Sequence, residues 1–285
     1  MKLIVLAYHS HCVLGTDYGA NDHVAFAQDL RTIVRRGYRI APLDAIVAAL
    51  HGVQANGPGS EEQRLVALTF DDGPVYDLDD FVHPQLGLQR GLVNIMRDFR
   101  GTAEGSRQEL HATSFVIASA AGRKIMEGVA EPGDKYLTPN SLDERWWSRG
   151  IDTGFLSIAN HSWDHLHPRL PSVAHSEQAR GDFSKVASVA DADAQIAAAG
   201  RYINAVTNGR MAPYFAYPFG HFNEFLVRDY FPRRAATLGY RAAFTTEPRS
   251  ITRADSVWAL PRFVCGAHWR AADGLDGILA TALPA

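Results

Sequence analysis

The chain has 285 residues, 46% hydrophobic and 10% aromatic, enough to bury a large core in one α/β domain or in two small ones. A formal charge of -3 leaves no basic footprint for nucleic acid and no polybasic patch for an anionic membrane, and no apolar run approaches the roughly 20 residues that span a bilayer. The opening MKLIVLAYHSH makes a poor signal peptide, and Cys12 and Cys265 lack metal-ligand spacing, so free thiols in a reducing cytoplasm are the expectation.

Residues 2–8 read as a first strand ending at His9. Asn21 or Asp22 caps a helix with Phe26, Leu30 and Ile33 or Val34 at helical spacing, stopped by Gly37. Tyr38–Ala41 is a short strand, Leu43–Leu50 a helix entered through Pro42, and His51–Arg64 an exposed loop. Leu65–Phe70 has the length and β-favouring composition of a buried strand, with Asp71 and Asp72 at its carboxyl end. An acidic loop through Asp80 and Pro84 leads to a helix bearing Leu88, Leu92, Ile95 or Met96, and Phe99. Ala112–Ala118 is the next buried strand, 128–140 a loop, and Ser141 with Glu144 a capping box for a short helix carrying Trp146 and Trp147. Phe155–Ala159 is a strand ending at Asn160 and His161, Asp182–Val206 a long helix, Tyr214–Tyr217 a strand, and Asn223–Leu238 a helix closed by Gly239. Tyr240–Thr245 and Ala259–Val264 are the last strands, and Ala272–Leu283 a terminal helix.

Strands and helices alternate throughout, which favours a parallel sheet wrapped by helices, and the absence of GxGxxG argues against a dinucleotide fold. A closed or nearly closed β/α barrel of one domain, residues 1–285, is the expectation. In such a barrel the side chains at the mouth come from the carboxyl ends of separate strands. Here those ends carry His9, Asp71 and Asp72, His161, and Pro218–Gly220.

Two adjacent ionised carboxylates repel unless a cation or a proton is shared between them. A metal ion resolves that conflict; an Asp-Gly-Pro turn is the alternative reading of DDGP. His161 and His165, in NHSWDH, stand at i and i+4 and on one turn of helix would face the same way. With one carboxylate they would make a facial set suited to zinc and compatible with other divalent metals, whereas two titrating histidines on a surface helix are the alternative. His167 is off that face and stays outside the set.

In the order TFDDG, NHSWDH and FAYPFG, the chain resembles the polysaccharide deacetylase family, the NodB-homology carbohydrate esterases of family four, over roughly residues 65–265. The resemblance implies a distorted β/α barrel that removes acetyl groups from N-acetylated sugars with a bound divalent metal, most often zinc, with Co, Ni, Fe or Mn as alternatives. It implies Asp71 as general base and Asp72, His161 and His165 as metal ligands. A metal there would activate a water and polarise the acyl carbonyl, with the backbone N–H of Phe219 facing the oxyanion.

Two departures stand out. The motif position that holds an arginine in many members is Ala216 here, and Arg262 in ALPRFV is the candidate replacement. The carboxyl end offers only His268, in VCGAHW, where members carry a strand closing in Leu-x-His for the general acid. KLIVLAY followed by His9 has that pattern at the opposite end, which resembles the circularly permuted branch and implies His9 as the acid.

An amidase acting on an N-acetylated sugar or oligosaccharide is therefore the first reading. A hydrolase of another amide, cyclic imide or ureide on the same fold, and a non-catalytic carbohydrate-binding relative, are the others. Trp146, Trp147, Trp163, Tyr217 and Trp258 could stack on sugars but read first as core.

Overall fold

Both faces of β1 (Lys2–Tyr8) are buried, as its run without polar alternation requires. The structure, a computed structural model, describes residues 1–52, 64–129, 135–174 and 180–281. β1 lies in parallel between β3 (Arg64–Asp72) and β10 (Phe263–Val264). From β3 the parallel sheet continues through β6 (Ala112–Val116), β7 (Leu156–Asn160), β8 (Tyr214–Ala216) and β9 (Ala242–Phe244), while β2 (Arg39–Ile40) pairs with the start of β3. Leu260 bridges in parallel to Phe244, just ahead of β10, so the curled sheet returns towards its own first strand.

Helices cover the outside: α1 (Asp22–Arg35), α2 (Leu43–Leu50), α3 (Leu92–Arg100), α4 (Ala120–Val129), α5 (Trp147–Asp152), α6 (Val189–Ala192), α7 (Ala198–Val206), α8 (Phe231–Leu238) and α9 (Ala272–Thr281). Asn21 caps α1 by accepting from the N–H groups of His23 and Val24, and Gly239 ends α8 in the left-handed region. Among the described residues no helix is long and apolar enough to cross a membrane. Cys12 and Cys265 are both free thiols.

Several element boundaries differ from the sequence reading for identifiable reasons. Leu88 belongs to a hairpin of β4 (Phe81–His83) and β5 (Gly87–Gln89), turned by Gly87 at φ 72°, so α3 begins only at Leu92. The capping box is absent: Asp143 caps the turn by accepting from the Arg145 N–H, while Glu144 is drawn to the buried Arg123 guanidinium. The long helix expected over 182–206 is broken into a short turn capped by Asp182, then α6 capped by Ser188, then a π-helical stretch at Asp193–Ala197 that runs into α7. Of the strand expected at 259–264, Phe263–Val264 forms a ladder with β1 and Leu260 makes a single bridge to Phe244, since Pro261 between them has no N–H to continue a ladder. Residues 53–63, 130–134 and 282–283 of the expected loops and terminal helix lie outside the described residues.

Candidate active site

Strand parity decides which side chains reach the mouth of the barrel. On β1, Leu3 and Val5 pack inside, while Ile4, Leu6 and Tyr8 pack against the outer helices, so the inward series ends at His9. β3 repeats the pattern, with Leu65 and Ala67 inside and Val66, Leu68 and Phe70 outside, and its inward series ends at Asp71. On β7, Ala159 is inside and Ile158 outside, and His161 follows on the inner side. The pairs Tyr8 with Phe70, Asp72 with Val116, and Val116 with Asn160 keep these ends level.

Asp72 falls on the outward parity, but its backbone takes φ 72°, and its carboxylate joins the inner group. Its Oδ1 lies 3.6 Å from His161 Nε2 and 3.5 Å from His165 Nε2, and all three side chains are buried. His165 arrives by a route different from the helical turn expected from its spacing: residues 161–166 form an irregular loop with Ser162, His165 and Leu166 all at positive φ. Of the seven described non-glycine residues at positive φ, five (Asp72, Ser162, His165, Leu166 and Phe219) belong to this site. Each such residue costs on the order of 1–3 kcal/mol, and strain of this kind collects where function demands a geometry.

The three ligand atoms suit a metal. All lie within 4.8 Å of one another, and neighbouring ligand atoms about 3.3 Å apart are what a tetrahedral site with bonds of about 2.0–2.1 Å requires. The His161 ring presents its other nitrogen, Nδ1, to the Ala216 carbonyl at 2.9 Å. A carbonyl only accepts, so Nδ1 carries the proton and the Nε2 lone pair is left facing Asp72. Ala216, where an arginine was expected, thus contributes its backbone oxygen.

Arg262, just ahead of β10, holds Asp71 from the far end of the chain. Its guanidinium donates to both oxygens of Asp71 at 2.8 Å, to Thr69 Oγ1 and to the Thr245 carbonyl, and lies over the Phe115 ring. Both partners are buried. Burial pushes the Asp71 carboxyl up, but Arg262 with His161 more than offsets it and holds Asp71 below the usual carboxylate range. Asp72 goes further down against the same burial, through Lys135, His165 and His11.

His9 is half-buried, beside Asp71 in the register, with its N–H anchored on Asp22 Oδ2 at 2.7 Å. Burial lowers its pKa, opposed by Asp71 and Asp72. His268 sits elsewhere, in the turn after β10, where its Nδ1 accepts the Val264 N–H. The Phe219 ring lies edge-on to His165, with centroids 4.4 Å apart, on a backbone at φ 58°. His167 stays outside the ligand set, its Nδ1 accepting from the Arg169 N–H. Trp146, Trp147 and Tyr217 are core, and Trp258 is stacked on Phe231.

Three further groups had no assignment from sequence. His11 Nε2 and Lys135 Nζ flank the outer oxygen of Asp72 at 3.6 and 3.4 Å. Asp77, buried below, accepts from Ser10 Oγ at 2.5 Å and Ser114 Oγ at 2.6 Å, tying the His9–His11 turn to β6. The H-S-H spacing after the first strand was the one visible signal for His11.

A family model described as polysaccharide deacetylase matches residues 106–243, a segment that holds His161, His165 and YFAYPFG and begins after the Asp pair. No curated protein matches the chain. Among solved structures, the deacetylase PplD of Streptococcus pyogenes in complex with acetate is 18% identical at a TM-score of 0.61, covering 98% of each chain. IcaB from Ammonifex degensii is 19% identical at 0.62, over 99% of this chain and 97% of that one. The BpsB deacetylase domain from Bordetella bronchiseptica is 15% identical at 0.56, over 93% and 96%. The curled parallel sheet of this chain is the NodB-type fold of these structures, and over residues 106–243, just under half of its length, the chain matches the polysaccharide deacetylase family, hydrolases of carbon–nitrogen bonds.

Proposed function

We propose that the protein is a metal-dependent deacetylase that hydrolyses the amide of an N-acetylated sugar or glycan. The observation that carries this reading is the pairing of two carboxylates with opposite duties. Asp72 joins His161 and His165 in a buried ligand set, and Asp71 is clamped as an anion by Arg262. A divalent ion held by Asp72, His161 and His165, zinc first, with Co, Ni, Fe or Mn as alternatives, would supply an activated water and a polarised carbonyl.

The chain's own groups do the rest. Asp71, ionised at neutral pH, takes the proton of the attacking water. Phe219 offers its N–H to the oxyanion at the rim. His9, one strand away from Asp71, gives the leaving amine its proton, as the permuted branch would have it; the position of β1 between β3 and β10 supports this. An intact base argues against a purely binding role.

Elemental analysis of the purified protein should find about one divalent ion per chain, lost in His161→Ala and His165→Ala. Acetate release from N-acetylated sugar oligomers should stop on chelation and return with added zinc. Metal retained in both histidine variants would remove the ligand assignment, and turnover indifferent to chelation would remove the metal from the mechanism.

A further inference from the structure

Beside the metal-ligand cluster lies a cavity of about 250 Å³. Its apolar wall is made by Ile117, Met126, Leu137 and Leu142. Ile117, Met126 and Leu142 are buried and form a small apolar cluster of their own, with Leu137 packed against it, separate from the cores that hold the barrel together. The hydrophobic wall therefore follows the cavity and is not an extension of the packing inside the sheet.

Two observations say which part of a substrate this space receives. Among the groups that line it, Asp72, His165 and Phe219 are those that would face the carbonyl of the amide, with His11 and Lys135 beside Asp72 and His167 and Arg169 on the polar remainder of the lining. His9, on the side of the leaving amine, does not line it. The cavity thus extends from the acyl carbon away from the sugar. Its size is out of proportion to an acetyl group, whose methyl fills about the share of one water, roughly 30 Å³.

We propose that this cavity receives the acyl chain of the amide, and that the site accepts N-acyl sugars with unbranched chains of about four to six carbons besides acetyl. This rests on the amide-hydrolase reading above and adds the identity of the acyl group. The reaction is unchanged in its balance: water oxygen bonds to the acyl carbon, the C–N bond breaks, the amine takes a proton and a fatty carboxylate leaves. Burying methylenes against the wall strengthens binding by roughly tenfold for every two.

The test uses the metal-loaded protein with N-acetyl-, N-butyryl- and N-hexanoylglucosamine and their short oligomers. KM should fall from acetyl to hexanoyl by about tenfold or more. Leu142→Trp, which fills the cavity from a residue outside the catalytic groups, should abolish the gain of hexanoyl over acetyl. Met126→Ala, which widens the cavity, should shift the preference to longer chains. Hydrolysis of the acetyl amide with no turnover of the longer ones would overturn the proposal and leave the deacetylase reading standing. If none of the amides is hydrolysed, that reading fails separately, and calorimetry with acetate and hexanoate still decides the cavity. Hexanoate should bind about tenfold or more tightly than acetate, and less so in Leu142→Trp. Equal binding of the two acids would overturn the proposal.

Discussion

Arg262 and Asp71 meet fork to fork, with two N–H···O bonds of 2.8 Å between residues 191 positions apart in the chain. Two parallel bonds fix the carboxylate plane as well as its charge, which a point charge does not do. Arg262→Lys should therefore keep Asp71 ionised but let it rotate, lowering kcat by about 10-fold or more with KM little changed. Arg262→Met removes the charge and leaves a buried carboxylate alone, which should cost on the order of 3–5 kcal/mol of stability. Chemical denaturation and steady-state kinetics separate the two variants; a lysine enzyme with parental kcat would show that orientation by Arg262 is not needed.

Asp71→Asn keeps the shape and much of the hydrogen bonding but cannot take a proton at neutral pH. Turnover should drop by around 10²–10⁴-fold while the metal content stays at the parent's value. Normal activity in this variant would move the base role to another group.

His9 and His268 make opposite claims on the general acid. His268 is already engaged by the Val264 N–H in a turn, whereas His9 stands at the inward end of β1 beside Asp71. His9→Ala should lower turnover strongly, leave the metal in place and remove the alkaline limb of the pH–rate profile, because the protonated ring is the acid that limb reports. His268→Ala should be close to neutral. The reverse pattern would restore the conventional order of motifs and end the argument from the first strand.

Gly73 follows Asp72 at φ 74°, and a Cβ there would stand 2.6 Å from Val116 Cγ1 on β6. Gly209, at φ 77°, has nothing within 4 Å of the same atom and serves as the control for backbone strain alone. Gly73→Ala should lose more stability than Gly209→Ala, whose cost is about 1 kcal/mol. Only Gly73→Ala should weaken metal binding, since Asp72 is its neighbour. Equal losses, with equal metal affinity, would mean that Val116 yields without disturbing the ligand.

Asp77 gives a pH signature of its own directly beneath the strand ends. Despite hydroxyl donors from Ser10 and Ser114, burial pushes its carboxyl up to about 7. The folded chain then holds a proton that the unfolded chain, with an ordinary carboxyl near about 3.9, has released. Its contribution is complete below that lower value and is lost as pH rises through the folded one. The melting temperature should fall between pH 5 and 8, and Asp77→Asn should flatten part of that fall. A slope unaltered in Asp77→Asn would assign it to other groups, Asp22 first, whose carboxyl burial also raises to about 7.

The parts of the site that close buried apolar strands were the legible ones. His9, Asp71 with Asp72, and His161 follow such runs directly, and the motif order TFDDG, NHSWDH and FAYPFG supplied the roles, whereas the parity that sets Asp71 apart from Asp72 emerges only in the sheet. Arg262 was legible by substitution, because Ala216 left the place of the motif arginine open and ALPRFV offered a guanidinium in an apolar run. His165 was found by its spacing but for the wrong geometry: i, i+4 suggested a helical turn, and the chain uses three left-handed residues instead. Nothing local signals such a turn in Ser, His and Leu. Lys135 and Asp77 were missed because their partners are brought together only by the sheet order, and the β4–β5 hairpin because its strands are three residues each.

The placement of β1 between β3 and β10 also sets an order of assembly during synthesis. Asp71, Asp72, His161 and His165 all leave the ribosome before Arg262 does, so a nascent chain carries the anion and the ligands without the guanidinium that holds the base. Until β10 is laid against β1, the first strand keeps an open edge and Asp71 keeps a charge without its counterion. Under the proposed function, hydrolysis then requires a chain synthesised past Arg262, and a product interrupted before it would keep Asp72, His161 and His165 without the guanidinium that holds Asp71.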